Sequence, residues 1–420
     1  MPHHLSSLGE KLTARSGILE LMDDLGNALQ AGPSVRMLGG GNPARIPAVE
    51  AEWRRRMDAL LKDGDRFERM LAHYDTSQGQ KAFIRALVQT LRETFGWEIT
   101  ERNIGITNGS QNAFFYLFAL LAGRDSGGRD RQILLPLVPE YIGYADQALS
   151  PQAFLGMPPA IDYIGNHHFK YCVQLDALPQ DTSLAALCLS RPTNPSGNVV
   201  TDPEIRALAS FAGDQGVPLI VDSAYGAPFP NILFVETTPY WDRNVILSLS
   251  LSKLGLPGTR TGILIADEPW IEAIVSMNAV VSLANGNLGQ TLVRPMLEDG
   301  TLLRMSREVI QPFYLEKSRQ AQAWIQEFFP DDLPYRVHLS EGALFLWMWF
   351  PGLPIPSAEL YRRLKQRDVL VISGHYFFYG LPEPDAHSRE CIRITYSQSD
   401  EMVREGLRII AEEVMRAFGG

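Results

Sequence analysis

Through the middle of the chain, short apolar runs alternate with stretches of helical period, and polar clusters follow several of the runs directly. Residues 104–107, 132–136, 184–189, 218–222, 244–249 and 262–266 read as buried strands, and residues 112–121 and 203–215 as helices. The second helix has a start signal: Thr201 and Asp202 offer side-chain caps, Pro203 suits the first turn and Glu204 adds favourable charge. Strands alternating with helices predict an α/β fold with a mainly parallel sheet, whose strand ends are the edge where ligands bind. The last third reads differently. Strands at 343–350, 370–373 and 391–396 with helices at 357–367 and 400–418 predict a smaller α+β unit. Before the turn Gly39-Gly40-Gly41-Asn42-Pro43 lies an amphipathic segment carrying Ile18, Leu19, Met22, Leu25 and Leu29. The expected division is an N-terminal segment (1–45) on the small domain and active site, a large domain (46–300) and a small C-terminal domain (301–420).

Composition narrows the class without naming it. A chain of 420 residues is long for one core, which agrees with two domains. The net charge of −10 and the dispersed Lys and Arg residues argue against a nucleic-acid surface. Residues 343–350 form one of the longest apolar runs, too short to cross a membrane, and the first residues lack the apolar core of a signal peptide. Cys172, Cys188 and Cys391 are widely spaced and show no metal-ligand pattern, so thiols in the cytoplasm are expected.

Candidate chemistry sits just after the strands. Ser250-Leu251-Ser252-Lys253 places a lysine among hydroxyls, with Arg260 seven residues on. Such a lysine is either a solvated loop residue or the anchor of an aldehyde cofactor whose phosphate the serines and arginine grip. Asn108-Gly109-Ser110-Gln111 ends a strand and opens a helix, so it is either a plain helix start or a phosphate cradle. No G-x-G-x-x-G or P-loop pattern accompanies it. Asp222 closes an apolar strand with Tyr225 three residues on; it either caps the next turn or pairs with a protonated heterocycle. The loop Pro192-Thr193-Asn194-Pro195-Ser196-Gly197 is stiff enough to present the Asn194 amide. Arg393 lies between Ile392 and Ile394, where it needs either an internal acid or a ligand carboxylate.

Taken in order, Asn108-Gly109-Ser110-Gln111, Asn194-Pro195-x-Gly197, Asp222-x-x-Tyr225, Ser252-Lys253 with Arg260, and Arg393 resemble the aspartate-aminotransferase-like, fold-type I enzymes that use pyridoxal 5′-phosphate. The likeness runs over nearly the whole chain. The strings around Gly39–Asn42 and Pro139-Glu140-Tyr141-Ile142-Gly143-Tyr144 resemble the branch working between valine- or alanine-type amino acids and 2-oxo acids such as pyruvate. The resemblance implies a set of roles. Lys253 holds the cofactor covalently and shuttles a proton, Asp222 pairs with the ring nitrogen, and Asn194 and Tyr225 bond the ring oxygen. Tyr141 stacks on the ring. Ser110, Gln111, Ser250, Ser252 and Arg260 surround the phosphate, with Tyr74 reaching it from a partner subunit of a homodimer. Arg393, Asn194 and the Gly41 backbone take the substrate carboxylate. Small amino acids and 2-oxo acids are the expected partners, with no nucleic acid, membrane or metal. Ile18, Leu19 and the Gly39–Gly41 turn are candidates for the side-chain pocket, and Arg36 or Arg45 for a second cation. Aromatic, 2-aminoadipate or glutamate donors, and carbon–sulfur lyase chemistry, are the alternatives in the same fold.

Overall fold

The computed structural model describes residues 4–14, 16–19, 22–24, 26, 35–180, 183–382 and 386–419. Leu25 and Leu29 of the N-terminal amphipathic segment lie outside them. The six apolar runs of the middle become strands of one sheet, in the spatial order Ile104–Thr107, Gly262–Ile265, Val245–Ser250, Leu219–Asp222, Leu184–Ser190 and Asp130–Leu135, with the short strand Gly123–Arg124 beyond the last. Phe154–Gly156 pairs alongside Asp130–Leu135. Pairing is parallel from Val245–Ser250 through to Phe154–Gly156, and Gly262–Ile265 runs antiparallel to both neighbours. The central strands are buried at every position, which explains their unbroken apolar character.

Register lines up the polar strand ends. Ser190 pairs with Asp222 and Asp222 with Ser248, while Ser250 pairs with Gly262 and Gly262 with Thr107. Sequence-distant residues thereby meet on one edge of the sheet. The helix Asp202–Asp214 starts as the sequence predicts, with a reciprocal Thr201–Glu204 capping box. Asp202 itself is drawn off to Arg191 at 2.6 Å and to Thr237 and Thr238.

The second sheet has the order Ile372–Ser373, Cys391–Thr395, Phe345–Trp349, Arg336–His338, His168–Cys172 and Ala160–Ile164. Its last two strands come from the middle of the chain, so residues 160–172, which the sequence division gave to the large domain, cross into the sheet of the C-terminal third. The short strand expected at 370–373 is two. Val369–Leu370 pairs with Arg36–Met37, and Ile372–Ser373 pairs with Cys391–Thr395. The first of these pairings stitches the segment before the glycine turn to the C-terminal unit. Among the described residues no helix is long and apolar enough to cross a membrane.

Candidate active site

Ten of the residues singled out from the sequence line one cleft of about 690 Å3, open to solvent: Ser110, Gln111, Tyr141, Asn194, Asp222, Tyr225, Ser250, Ser252, Lys253 and Arg260.

Asp222 forms the floor. Its Oδ2 accepts from the Tyr144 hydroxyl at 2.6 Å and its Oδ1 from the Ala224 N–H at 3.0 Å. Burial pushes the carboxyl above its ordinary value, while the Tyr144 and Ala224 hydrogen bonds and the nearby Lys253 oppose that shift. The carboxylate reading of the turn is therefore only part of its role: one oxygen caps Ala224 and the other is held by a tyrosine. Behind it lies Glu140, 1% exposed, which accepts from Ser190 N–H (2.8 Å), Ser190 Oγ (2.7 Å) and Tyr141 N–H (3.1 Å). Burial pushes Glu140 up to about 8 against those donors.

One end of the cleft suits an anion. Gly109, at φ +85°, turns the chain from its strand into the helix Ser110–Leu121, whose first N–H groups have no partner within the helix. A Cβ on Gly109 would stand 2.4 Å from Nη2 of Arg260, so the glycine is what lets the guanidinium lie against the helix start. Arg260 bonds the Pro257 carbonyl at 3.3 Å and has no carboxylate within ion-pair distance among the described residues. Ser110 Oγ donates to Leu249 O at 3.3 Å, and Ser250 Oγ accepts from Ser252 N–H at 3.1 Å. Gln111 meets the Tyr141 hydroxyl at 3.4 Å.

Lys253 lies in the 3-10 turn Ser252–Leu254. Its Nζ donates to Gly41 O at 2.6 Å and stands 5.1 Å from the Tyr225 ring centroid. Burial pulls the ammonium down to about 8, Arg393 and Arg260 act in the same direction, and Asp222 opposes them. Tyr225 is buried, and that burial pushes its phenol up.

Arg393, 2% exposed, extends from the strand Cys391–Thr395. Its Nη1 donates to Asn194 Oδ1 and its Nη2 to Gly39 O, each at 2.7 Å. Its Nε has no partner among the described residues, and no acid lies within ion-pair distance there. The guanidinium packs over Phe345 at 4.1 Å and Phe377 at 5.4 Å, and burial pulls it down to about 10. Of the two fates open to this arginine, the internal acid is not met among the described residues. Its contact in the glycine turn is Gly39, and Gly41 serves Lys253.

The remaining expected residues lie elsewhere. Tyr74 is 83% exposed on the surface near Arg66, Arg69 and His73. Ile18 is partly buried and Leu19 is 47% exposed; neither borders the cleft described above. Arg45 pairs with Glu50 at 2.6 Å and Arg36 with Glu405 at 3.7 Å, so neither stands as a second cation in the cleft. Sequence reasoning missed Tyr144, Glu140, Ser190 and Phe345 as parts of the site. Tyr144 and Asp222 are 78 positions apart, and no local pattern marks their pairing.

The donor set fits a ligand with an anionic end, a basic ring nitrogen and an electrophilic carbon. The helix start with Arg260 meets the first, Asp222 the second and the Lys253 amine the third. The comparisons agree with this class of protein. The Aminotransferase class I and II family profile matches residues 160–410, and the chain belongs to that family. It is 45% identical over 98% of both chains to the valine–pyruvate aminotransferase of Escherichia coli (strain K12). The solved valine–pyruvate aminotransferase of Salmonella typhimurium LT2 superposes with a TM-score of 0.88 at 44% identity, over 96% of this chain and 99% of that one. A solved structure from Psychrobacter arcticum 273-4 gives 0.96 at 42% identity over the full length of both.

Proposed function

We propose that the cleft binds pyridoxal 5′-phosphate and that the enzyme exchanges amino groups between valine- or alanine-type amino acids and 2-oxo acids such as pyruvate and 2-oxoisovalerate, by a ping-pong cycle. The observation that carries this reading is the lysine amine, lowered by burial and two arginines, opposite a buried aspartate in a cleft with an anion-binding end. The bound cofactor supplies an electron sink for the charge left when the substrate Cα loses its proton.

The chain's own residues do the rest. Ser110, Ser250, Ser252, Arg260 and the helix start hold the phosphate, with Gln111 beside them, and Tyr141 packs on the ring. Asp222, fixed by Tyr144, keeps the ring nitrogen protonated through a charge-assisted hydrogen bond. Asn194 and Tyr225 face the ring oxygen. Lys253 would hold the cofactor covalently, and its free amine would be the base that moves the proton at Cα. With the amine at about 8, roughly one lysine in ten is neutral at pH 7, against about one in three thousand for an ordinary lysine. Arg393 takes the α-carboxylate in its fork, and Asn194 and the Gly41 turn complete that end. Substrate capture between the two sheets excludes water, which strengthens each of these interactions. A homodimer with Tyr74 entering the neighbouring site is supported by the exposure of Tyr74 and of Val280 (87%) and Leu283 (60%), whose carbonyl Ser77 bonds. The free cysteines support a cytoplasmic enzyme.

The test mixes cofactor-loaded protein with single amino acids and follows the visible absorption of the cofactor. Valine or alanine converts it and pyruvate restores it. Conversion by glutamate or aromatic donors alone, or release of pyruvate and ammonia from cystathionine without an acceptor, overturns the substrate assignment.

A further inference from the structure

Glu140 is a buried carboxyl that the proposed cycle does not use, yet three parts of the site converge on it. Its side chain receives the Tyr141 N–H, which belongs to the residue walling the ring, and both the N–H and the hydroxyl of Ser190. Ser190 Oγ in turn accepts the Asn194 N–H at 3.3 Å, and Asn194 Oδ1 holds Arg393 at 2.7 Å. The backbone N–H of Glu140 donates to Phe377 O at 3.0 Å, and the Phe377 ring backs the same guanidinium at 5.4 Å. A plain core residue at this place needs no charge, and a buried carboxyl without a task is expensive to keep. All three donors point at its two oxygens, an arrangement the ionised carboxylate accepts in full.

We propose that Glu140 is a positioning residue that sets the carboxylate grip of Arg393 through Ser190 and Asn194, tying substrate capture to the wall formed by Tyr141. The inference rests on the transaminase reading. In Glu140→Gln the amide keeps one acceptor oxygen but turns N–H donors toward the donors of Ser190 or Tyr141. The Ser190–Asn194 loop then loses its fixed point, and the arginine fork loses its aligned partner. Ser190→Ala removes the hydroxyl link alone and leaves the carboxyl in place.

The experiment measures steady-state kinetics of the holoenzymes of Glu140→Gln, Ser190→Ala, Asn194→Ala and the pairs Glu140→Gln/Asn194→Ala and Ser190→Ala/Asn194→Ala. Each is run with an amino acid and with a primary amine of the same carbon skeleton lacking the carboxylate. For Glu140→Gln and Ser190→Ala, expected are a rise of about tenfold in KM for the amino acid with kcat changed by less than about threefold, and amine turnover changed by less than about twofold; Asn194→Ala, whose amide also faces the ring oxygen, serves as the reference for the pairs. Each pair variant resembles Asn194→Ala rather than the product of the two single effects. Equal losses on amino acid and amine, or fully multiplicative effects in the pairs, overturn the proposal and leave Glu140 as a structural carboxyl. Ser190→Ala keeps the test open if Glu140→Gln does not fold. Wild-type protein that fails to transaminate any amino acid refutes the transaminase reading instead, so the two failures are told apart.

Discussion

Replacing Arg393 with methionine separates stability from function at one atom group. The guanidinium is buried without an acid among the described residues, and its fall from the ordinary arginine value to about 10 corresponds to about 3 kcal/mol at about 1.4 kcal/mol per pH unit. The sign follows from linkage. A base lowered in the folded state binds its proton more tightly when unfolded, so the penalty is full below about pH 10 and fades only as pH rises from there toward the ordinary arginine value. Against it stand two hydrogen bonds to neutral oxygens, worth about 1.5 kcal/mol each when the donor is charged, and stacking on Phe345, worth about 1 kcal/mol. Methionine loses those contacts, orphans Asn194 Oδ1 and Gly39 O, and gains about 2 kcal/mol by burying an apolar chain. The opposing contributions nearly cancel. Arg393→Met should therefore lie within about 1 kcal/mol of wild type, a change of about 2 °C in Tm, where truncating a buried side chain ordinarily costs about 2–5 kcal/mol. Function should fall steeply. Losing a buried carboxylate–guanidinium pair costs about 4 kcal/mol, or about a thousandfold in kcat/KM for amino acids. The assay is thermal unfolding of the cofactor-loaded protein with and without pyruvate, together with kinetics on an amino acid and on an amine. Pyruvate should raise the wild-type Tm and leave the variant unmoved, since ligand stabilisation requires binding to the folded state. Destabilisation of more than about 3 kcal/mol, a retained pyruvate shift, or equal losses on amine and amino acid would refute the reasoning.

Three further outcomes are expected. Tyr144→Phe removes the donor that lowers Asp222, so the aspartate rises further and the acid limb of the kcat/KM profile moves to higher pH, with a loss of about tenfold near neutrality; an unmoved limb would contradict the assignment. Gly109→Ala drives a methyl into the Arg260 guanidinium at a position of positive φ, and cofactor retention on dialysis should fall by at least about tenfold, while the fold survives by circular dichroism. Lys253→Ala should bind the cofactor and fail to transaminate; measurable turnover in a freshly purified sample would remove Lys253 from its role.

Much of this fold was legible because the strands of the middle are buried on both faces and so read as unbroken apolar runs. Their ends carry Asp222, Ser190 and Ser250, and the order of those residues was readable where their register was not. The hairpin at 160–172 escaped notice because its outer strand is short and half exposed, with Asp162, Tyr163 and Ile164 facing solvent, so it gives no unbroken buried run. It joins the second sheet only through the parallel pairing of His168–Cys172 with Arg336–His338, more than 150 residues away. Asp222 and Arg393 stood out because each puts a charge where an apolar strand demands a reason, Lys253 because it lies among hydroxyls with Arg260 following, and Asn194 because its loop is stiff. Glu140 and Tyr144 sat beside Tyr141 in the sequence, but their tasks depend on partners fixed only by tertiary packing: Ser190 for the first and Asp222 for the second. The side-chain pocket was the least legible part, since Ile18 and Leu19 lie well before the glycine turn in sequence and do not border the cleft in space.

The central claim is that Lys253 is the amine that holds the cofactor. Borohydride reduction of the yellow holoenzyme fixes a carbonyl cofactor to whichever amine carries it, and digestion followed by mass spectrometry reads the labelled peptide. The account predicts one label per chain, on the peptide containing Lys253, and none in Lys253→Ala. A label on another lysine such as Lys170 or Lys317, or a wild-type protein that takes no label at all, would contradict it.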